Sequence, residues 1–326
     1  MNLWVLKNNL AYLFALSKVP AHVIRKGGYR IIVVFHRILS EDEALDYGLH
    51  PAMHTTLENF RRVLDELSCL GKYVGLETMM EGGDVKETLI AVTFDDGWVD
   101  NYTNAMNELY RRNIPATLFI TTGNIESGAM HWTEEVTIKF RKRQLRDPEK
   151  SGDVLRFFLE MVPGRNRGTI HDFVESIKYI DAEKRRDIIK KFYRQMDCSD
   201  ESLEGHMLSW EQIVKMKSKG ISLGSHTHNH LILKGAEGGE IAEELETSRR
   251  LIKTRTGEDA MMFSYPNALY DSTSWRYLRE TGFRYGFAID NRRVPRDISQ
   301  YYIPRFIVYN DIIKRLQARF MHVPGF

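Results

Sequence analysis

The 326-residue chain is predicted to be an α/β barrel of parallel strands, on three observations. Short, β-rich apolar runs alternate with helical patterns through most of the sequence, the order that parallel strands with helical crossovers produce. Several of the runs are nearly continuous in apolar residues, as strands buried on both faces are. About eight such runs are present, enough to close a barrel rather than leave an open sheet.

The elements follow in order. Residues 1–29 read as an N-terminal helical segment, with Leu3, Leu6, Leu10, Leu13 and Phe14 at helical spacing. Lys7, Asn8 and Asn9 interrupt its apolar run, and no small-residue cleavage site follows Leu16, so a secretory signal is not expected. The run is too short and polar to span a bilayer. It suits a helix packed on its own domain, with peripheral membrane contact as the alternative. The barrel is placed in residues 30–326. Its predicted strands are 30–35, 72–76, 88–94, 116–122, 221–225, 260–265, 285–289 and 303–309.

Between them, residues 56–71 carry Leu57, Phe60, Val63, Leu64, Leu67 and Leu70 on one face and stop at Gly71. Residues 101–113 repeat the pattern with Tyr102, Ala105, Met106, Leu109 and Tyr110. Ser209 and Gln212 form a capping-box pair that opens a helix ending at Gly220, and a further helix ends at Gly257. From about 133 to 205 the chain is helical in pattern and highly charged, with no convincing strand. This reads as a helical insertion between two barrel strands, its basic runs interleaved with acids as a solvated face.

Composition excludes several classes. A hydrophobic fraction of 43% and a charged fraction of 28% describe a globular chain. A net charge of +2 offers no strongly basic face for nucleic acid. Cys69 and Cys198 are the only cysteines, without CxxC spacing, which excludes a disulfide scaffold and a thiolate zinc site and fits a reducing compartment. The expected location is cytoplasmic, with the inner face of the membrane within reach of the apolar N-terminus.

The chemistry gathers at two strand ends. "TLIAVTFDDG" places Asp95 and Asp96 where an apolar strand meets Gly97. Neighbours on a strand point to opposite faces, so both acids can serve one site only if the backbone turns beyond the last ladder bond. Left to itself, such a pair could equally cap the next helix. "ISLGSHTHNH" puts His226, His228 and His230 directly after another strand. His226 and His230 share a face in either regular conformation, and His228 joins them only in an extended one. Two imidazoles and a carboxylate are a recurrent zinc ligand set that leaves a position open for water. One aspartate would then ligate the ion while the other stays ionised beside it as a general base, acting on water whose pKa the ion lowers to roughly 7.

"TFDDG" and "SHTHNH" resemble the first two motifs of the polysaccharide deacetylases, carbohydrate esterase family four. The resemblance implies a distorted (β/α)7-type barrel that removes N-acetyl groups from an N-acetylated sugar, polysaccharide or lipid-linked precursor. It implies Asp95 as the base, Asp96, His226 and His230 as ligands to Zn2+ or another divalent ion such as Co2+, Ni2+ or Mn2+, and a carbohydrate substrate. The helical insertion accounts for the wide separation of the two motifs.

"FSYPNALYD" resembles the third motif, a groove wall. It keeps Tyr265, Pro266 and Tyr270 as substrate-binding candidates, the N–H of Tyr265 as an oxyanion donor. Phe263 stands where an arginine is usual, and Arg305 in "YIPRFIV" is the candidate replacement for orienting the base. The last motif, a histidine closing an apolar strand, is absent near the C-terminus, but "RIIVVFHR" has its form. A circularly permuted arrangement would make His36 the general acid, since a barrel tolerates that change of connectivity. His22, His50, His54, His131, His171, His206 and His322 receive no role from the sequence, although His50 and His54 could line the groove entrance. Two rival readings use the same residues: a non-catalytic glycan-binding protein with a structural metal, and a non-haem iron oxygenase.

Overall fold

The computed structural model describes residues 19–321 apart from 84, 163–167, 179, 296 and 311–312. The amphipathic run expected over residues 1–18 lies outside the described residues, as does His322; a helix, Val19–Lys26, precedes the barrel. No helix among the described residues is long and apolar enough to cross a membrane.

Among the described residues ten strands run in chain order: β1 Arg30–Phe35, β2 Arg37–Leu39, β3 His54–Thr56, β4 Lys72–Tyr73, β5 Leu89–Phe94, β6 Ala116–Ile120, β7 Ile221–Ser225, β8 Met262–Ser264, β9 Tyr285–Ile289 and β10 Ile303–Ile307. Seven of them close a ring of parallel neighbours in the order β1, β5, β6, β7, β8, β9, β10. The first strand closes it: β1 pairs along its length with β5, Arg30 opposite Leu89 to Phe35 opposite Phe94, and also with β10 through Val33 opposite Phe306. β1 thus fills the place between the last strand and β5. A parallel ring puts every carboxyl end at one mouth, the end where barrels of this class assemble sites.

The strand expected over 72–76 shrinks to β4 because the β5 edge is shared. β4 pairs only with Leu89 and Ile90, while β6 takes Val92, Thr93 and Phe94. The chain then turns into the helix Leu76–Glu81.

The outer helices start and stop where their caps direct. Thr56 accepts from the N–H of Asn59 to open Leu57–Leu70, and Ser209 and Gln212 cap Trp210–Ser218 reciprocally. Gly257, at φ 73°, ends Gly238–Thr256 in the left-handed conformation. Phe60, Val63, Leu64 and Leu67 bury the inner stripe of the first helix against the barrel.

The insertion between β6 and β7 contains the helices Trp132–Arg146, Pro148–Met161, Ile170–Ile177 and Ala182–Gln195. It has an apolar centre of its own, in which Phe192 packs against Phe140, Phe158 and Phe173. Both of its ends return to the barrel mouth. The His131 ring lies 5.4 Å from that of Trp98, and at the other end Met207 bridges Trp98 while the N–H of Leu208 donates to Gly97 O at 3.0 Å.

Candidate metal-assisted active site

The two adjacent acids reach one site because the turn falls on Asp96 itself. The N–H of Asp95 still donates to Phe35 O, 3.1 Å, continuing the β1–β5 ladder by one residue. Asp96 then adopts φ 77° and Gly97 φ 93°. A left-handed aspartate is uncommon and stores strain of order 1–3 kcal/mol, the kind of backbone that surrounding structure has to impose. A Cβ on Gly97 would stand 3.0 Å from Ile125 Cδ1, so the turn is tight as well as left-handed.

Asp95 is held by Arg305 from β10. Its Nη1 donates to Asp95 Oδ1 at 2.8 Å and its Nη2 to Oδ2 at 2.7 Å. Nη2 also donates to Ser264 Oγ, 2.6 Å, which in turn donates to Asp95 Oδ2 at 3.1 Å. Arg305 is 0% and Asp95 1% exposed, so this is a buried bidentate pair. Burial by itself would raise the Asp95 carboxyl, but Arg305, with His226 and His36 nearby, outweighs it and holds the group below its ordinary range. Phe263, at the usual arginine position, lies in the apolar cluster with Tyr265 and Phe283 instead.

Asp96 faces the histidines. Its Oδ2 accepts from Trp98 Nε1 at 2.9 Å, which leaves Oδ1 as the open oxygen. Around Oδ1 stand His226 Nε2 at 3.4 Å and His230 Nε2 at 3.6 Å. One ligand atom from each of Asp96, His226 and His230 lies within 4.8 Å of the others. His226 Nδ1 is 2.7 Å from Ser264 O. A carbonyl only accepts, so Nδ1 carries a proton and Nε2 is the ring nitrogen that faces Asp96. Burial alone would lower the His226 pKa, but the two neighbouring carboxylates raise it. Burial alone would raise the Asp96 carboxyl; the four histidines around it, His131 first, drive it well below its usual range. A buried carboxylate with two imidazole nitrogens turned towards it is a donor set that fits a divalent cation.

The loop that carries the histidines is built by a side chain from outside it. Glu244, in the helix Gly238–Thr256, accepts from the N–H groups of His228 (2.8 Å) and Asn229 (2.7 Å) and from Asn229 Nδ2 (2.7 Å). His230 follows at φ 58°. The segment is therefore neither strand nor helix. His228 turns away to pair through Nδ1 with Thr122 Oγ1 at 2.9 Å, so the extended arrangement that would add it to the cluster does not form.

His36 closes β1 at the same mouth. It is nearly buried, its Nδ1 has no partner, and its charge acts on both Asp95 and Asp96.

The third-motif segment departs from expectation. The N–H of Tyr265 donates to Phe287 O at 3.0 Å within the β8–β9 pairing, so it is not free to hold an oxyanion. The Tyr265 ring is buried, with its hydroxyl donating to Tyr301 O at 2.8 Å. Pro266 is buried beside it, and Tyr270 lies half-buried with its ring 4.9 Å from that of Tyr265. These residues form a packed wall.

No motif marks His131, yet it enters the site from the N-cap of the helix Trp132–Arg146. Its ring is 4.7 Å from that of His230, and its Nε2 is 3.9 Å from Asp96 Oδ1. Burial lowers its pKa, against the opposing pull of Asp96. Nearby Glu134 is pushed up to about 7 by burial and by the charge of Asp96. His50 and His171 pair with each other, rings 5.2 Å apart, outside this cluster.

Comparison with known proteins agrees with this arrangement. The polysaccharide deacetylase family profile matches residues 82–286, well over half of the chain. The poly-beta-1,6-N-acetyl-D-glucosamine N-deacetylase of Staphylococcus epidermidis is 25% identical over 120 residues, 34% of this chain and 42% of that protein. The chain spans less than half the length of the curated relatives it matches. Among solved structures, Streptococcus pyogenes deacetylase PplD in complex with acetate superposes with TM-score 0.60 at 15% identity, covering 90% of this chain and 98% of that one. IcaB from Ammonifex degensii gives TM-score 0.56 at 19% identity, covering 90% and 97%. These likenesses carry the fold, a (β/α)7 barrel. The family match, with Asp95, Asp96, His226 and His230 gathered at the mouth of that barrel, places this chain in the polysaccharide deacetylase family.

Proposed function

We propose that this protein hydrolyses the N-acetyl amide of an N-acetylated sugar, alone, in a polysaccharide or on a lipid-linked precursor, releasing acetate and a free amine. The observation that carries the reading is a buried carboxylate fixed by a bidentate arginine immediately beside a second carboxylate ringed by histidines. The family match and a relative named for N-deacetylation of poly-N-acetylglucosamine support it.

Asp96, His226 and His230 would hold the divalent ion, for which zinc is the first candidate and Co2+, Ni2+ and Mn2+ the alternatives. When bound, the ion supplies Lewis-acid polarisation of the amide carbonyl and acidifies water. Asp95 accepts the proton of the attacking water; Arg305 keeps both of its oxygens in place, and the depressed pKa keeps the carboxylate ionised before attack. Water adds to the carbonyl carbon, the C–N bond breaks, and a protonated His36 delivers a proton to the departing nitrogen. The Arg305 clamp serves this scheme in the role that Phe263 cannot fill. A non-catalytic metal site would have no use for a clamped carboxylate beside the ligands, and neither would an oxygenase.

The test is acetate release from N-acetylglucosamine oligomers and lipid-linked N-acetyl sugars, read by mass spectrometry with added divalent metals. Asp95→Asn is expected to keep its metal and lose about 10²–10⁴ in rate, whereas His226→Ala loses both metal and activity. No acetate from any N-acetylated sugar, with metal demonstrably bound, would overturn the reading.

A further inference from the structure

We propose that Arg37 is a positioning residue for the metal-binding carboxylate: its buried guanidinium, pinned by Asp100, lies on the Trp98 indole and fixes the N–H that occupies Asp96 Oδ2. The inference rests on the metal reading above, adds no ligand to it, and gives a task to a charge that the scheme leaves unused.

Three observations carry it. First, Arg37 is 1%, Asp100 3% and Trp98 0% exposed. A buried charge is expensive to desolvate, and an apolar side chain would fill the same space at lower cost, so packing alone does not account for an arginine here. Second, Asp100 is spent on this arginine. It stands at the N-cap of the short π-turn Asn101–Ala105 but makes no side-chain bond to that turn. Its Oδ2 instead accepts from Arg37 Nε at 2.9 Å, and its Oδ1 from the N–H of Ile38 at 2.6 Å. Third, the face of the guanidinium meets aromatic rings. Arg37 Cζ lies 4.6 Å from the centre of the Trp98 ring and 5.1 Å from that of Tyr47, both within cation–π range. Nη1 has no hydrogen-bond partner among the described residues, and Nη2 stands 3.5 Å from His206 Nδ1. The Asp100 bond and the two rings therefore set where the guanidinium lies.

The indole passes this placement on. Trp98 Nε1 donates to Asp96 Oδ2 at 2.9 Å, and an indole has only that one donor, fixed in the plane of its ring. Whatever holds the ring thus aims the carboxylate. A cation on the ring also draws electron density from it, which makes the N–H a stronger donor to a charged acceptor. With Oδ2 engaged, Asp96 offers Oδ1 alone, the oxygen around which His226 and His230 stand. A carboxylate that binds through one oxygen leaves positions on the ion for water and substrate. Because Arg37 directly follows His36, one strand end delivers both the proton donor and the brace of the metal ligand.

Calorimetric Zn2+ titration of the full chain, run as a double-mutant cycle, tests this without reference to turnover. Trp98→Phe keeps a ring and removes the N–H, whereas Arg37→Met keeps most of the volume and removes the charge. Each is expected to lower affinity about 10–100-fold, the usual cost of losing a group that orients a metal ligand. The double variant should bind no more weakly than the weaker single one, because Arg37 acts through the indole N–H. Losses that multiply, as two independent structural defects would give, overturn the proposal, and so does wild-type affinity in either single variant. The visible bands of bound Co2+ should shift in Arg37→Met as they do in Trp98→Phe; bands that stay in place in Arg37→Met overturn it as well. If Arg37→Met does not keep the wild-type metal-free melting temperature, Arg37→Met with Asp100→Asn, which strands no carboxylate, takes its place in the cycle. A wild type that takes up no Zn2+, Co2+, Ni2+ or Mn2+ overturns the metal reading and this inference together, whereas a metal-binding wild type matched by Trp98→Phe overturns this inference alone.

Discussion

The sequence offers Arg305 for want of an arginine at Phe263, and the side chain does reach across the barrel interior to Asp95. Nothing in "YIPRFIV" announces that reach, because a strand alternates its faces and only ring closure tells which neighbour lies opposite. At 0% exposure the guanidinium is costly to desolvate, and the pair holds only while both partners remain. Arg305→Lys keeps the charge but cannot grip two oxygens. It is expected to fold and to lose about 100-fold in kcat, the effect of a small misplacement of a reacting group. Arg305→Met strands the Asp95 charge and should destabilise the protein by about 3–5 kcal/mol, read by urea unfolding. Adding Asp95→Asn should restore part of that loss; no restoration would mean that the charge is not what suffers.

At the scale of elements, the ligand loop depends on Glu244 more than on its own residues. Ile241, Leu245, Ser248 and Ile252 are the buried stripe of the helix Gly238–Thr256, and Glu244 is buried with them. A glutamate on such a stripe needs partners, a signal legible in the helical spacing but not followed to the loop it serves. The three donors it accepts from fix the turn that delivers His230. Glu244→Gln replaces one accepting oxygen by a donor facing N–H groups, so metal affinity is expected to fall about 10–100-fold while the helix itself persists. Calorimetric metal titration with a circular dichroism control checks this; an unaltered affinity would show that the loop holds its shape unaided.

Across the whole molecule, the insertion is joined to the catalytic loop at both ends. His206, whose carbonyl accepts from the N–H of Val99 at 2.8 Å, sits at the returning end beside Arg37. Burial first, and the Arg37 charge second, lower its pKa from 6.5 to about 4. Between those values the unfolded chain binds a proton that the folded chain refuses, so stability declines as pH falls through this window and is highest above it. In His206→Asn the fall in melting temperature from pH 7 to pH 5 should be smaller than in wild type. An equal fall in both would remove His206 as a contributor. Chelation acts on the same molecule from the other end: a bound ion at 100 times its Kd adds about 2.7 kcal/mol, so EDTA is expected to lower the melting temperature of metal-loaded protein and leave His226→Ala unmoved.

Most of the barrel strands and outer helices are legible in the chain alone, because apolar period, capping residues and glycine stops are local properties, whereas β2, β3 and the early end of β4 are not. The chain also marks Asp95, Asp96, His226 and His230, since runs of acids and histidines at strand ends have few structural uses. Which of these face one point is not legible there. The left-handed turn at Asp96, the Glu244 clamp, the spent N–H of Tyr265 and the arrival of His131 all depend on contacts between segments distant in the chain. Such contacts leave no period in the sequence: a lone histidine before a helix reads the same whether it meets solvent or the open oxygen of Asp96.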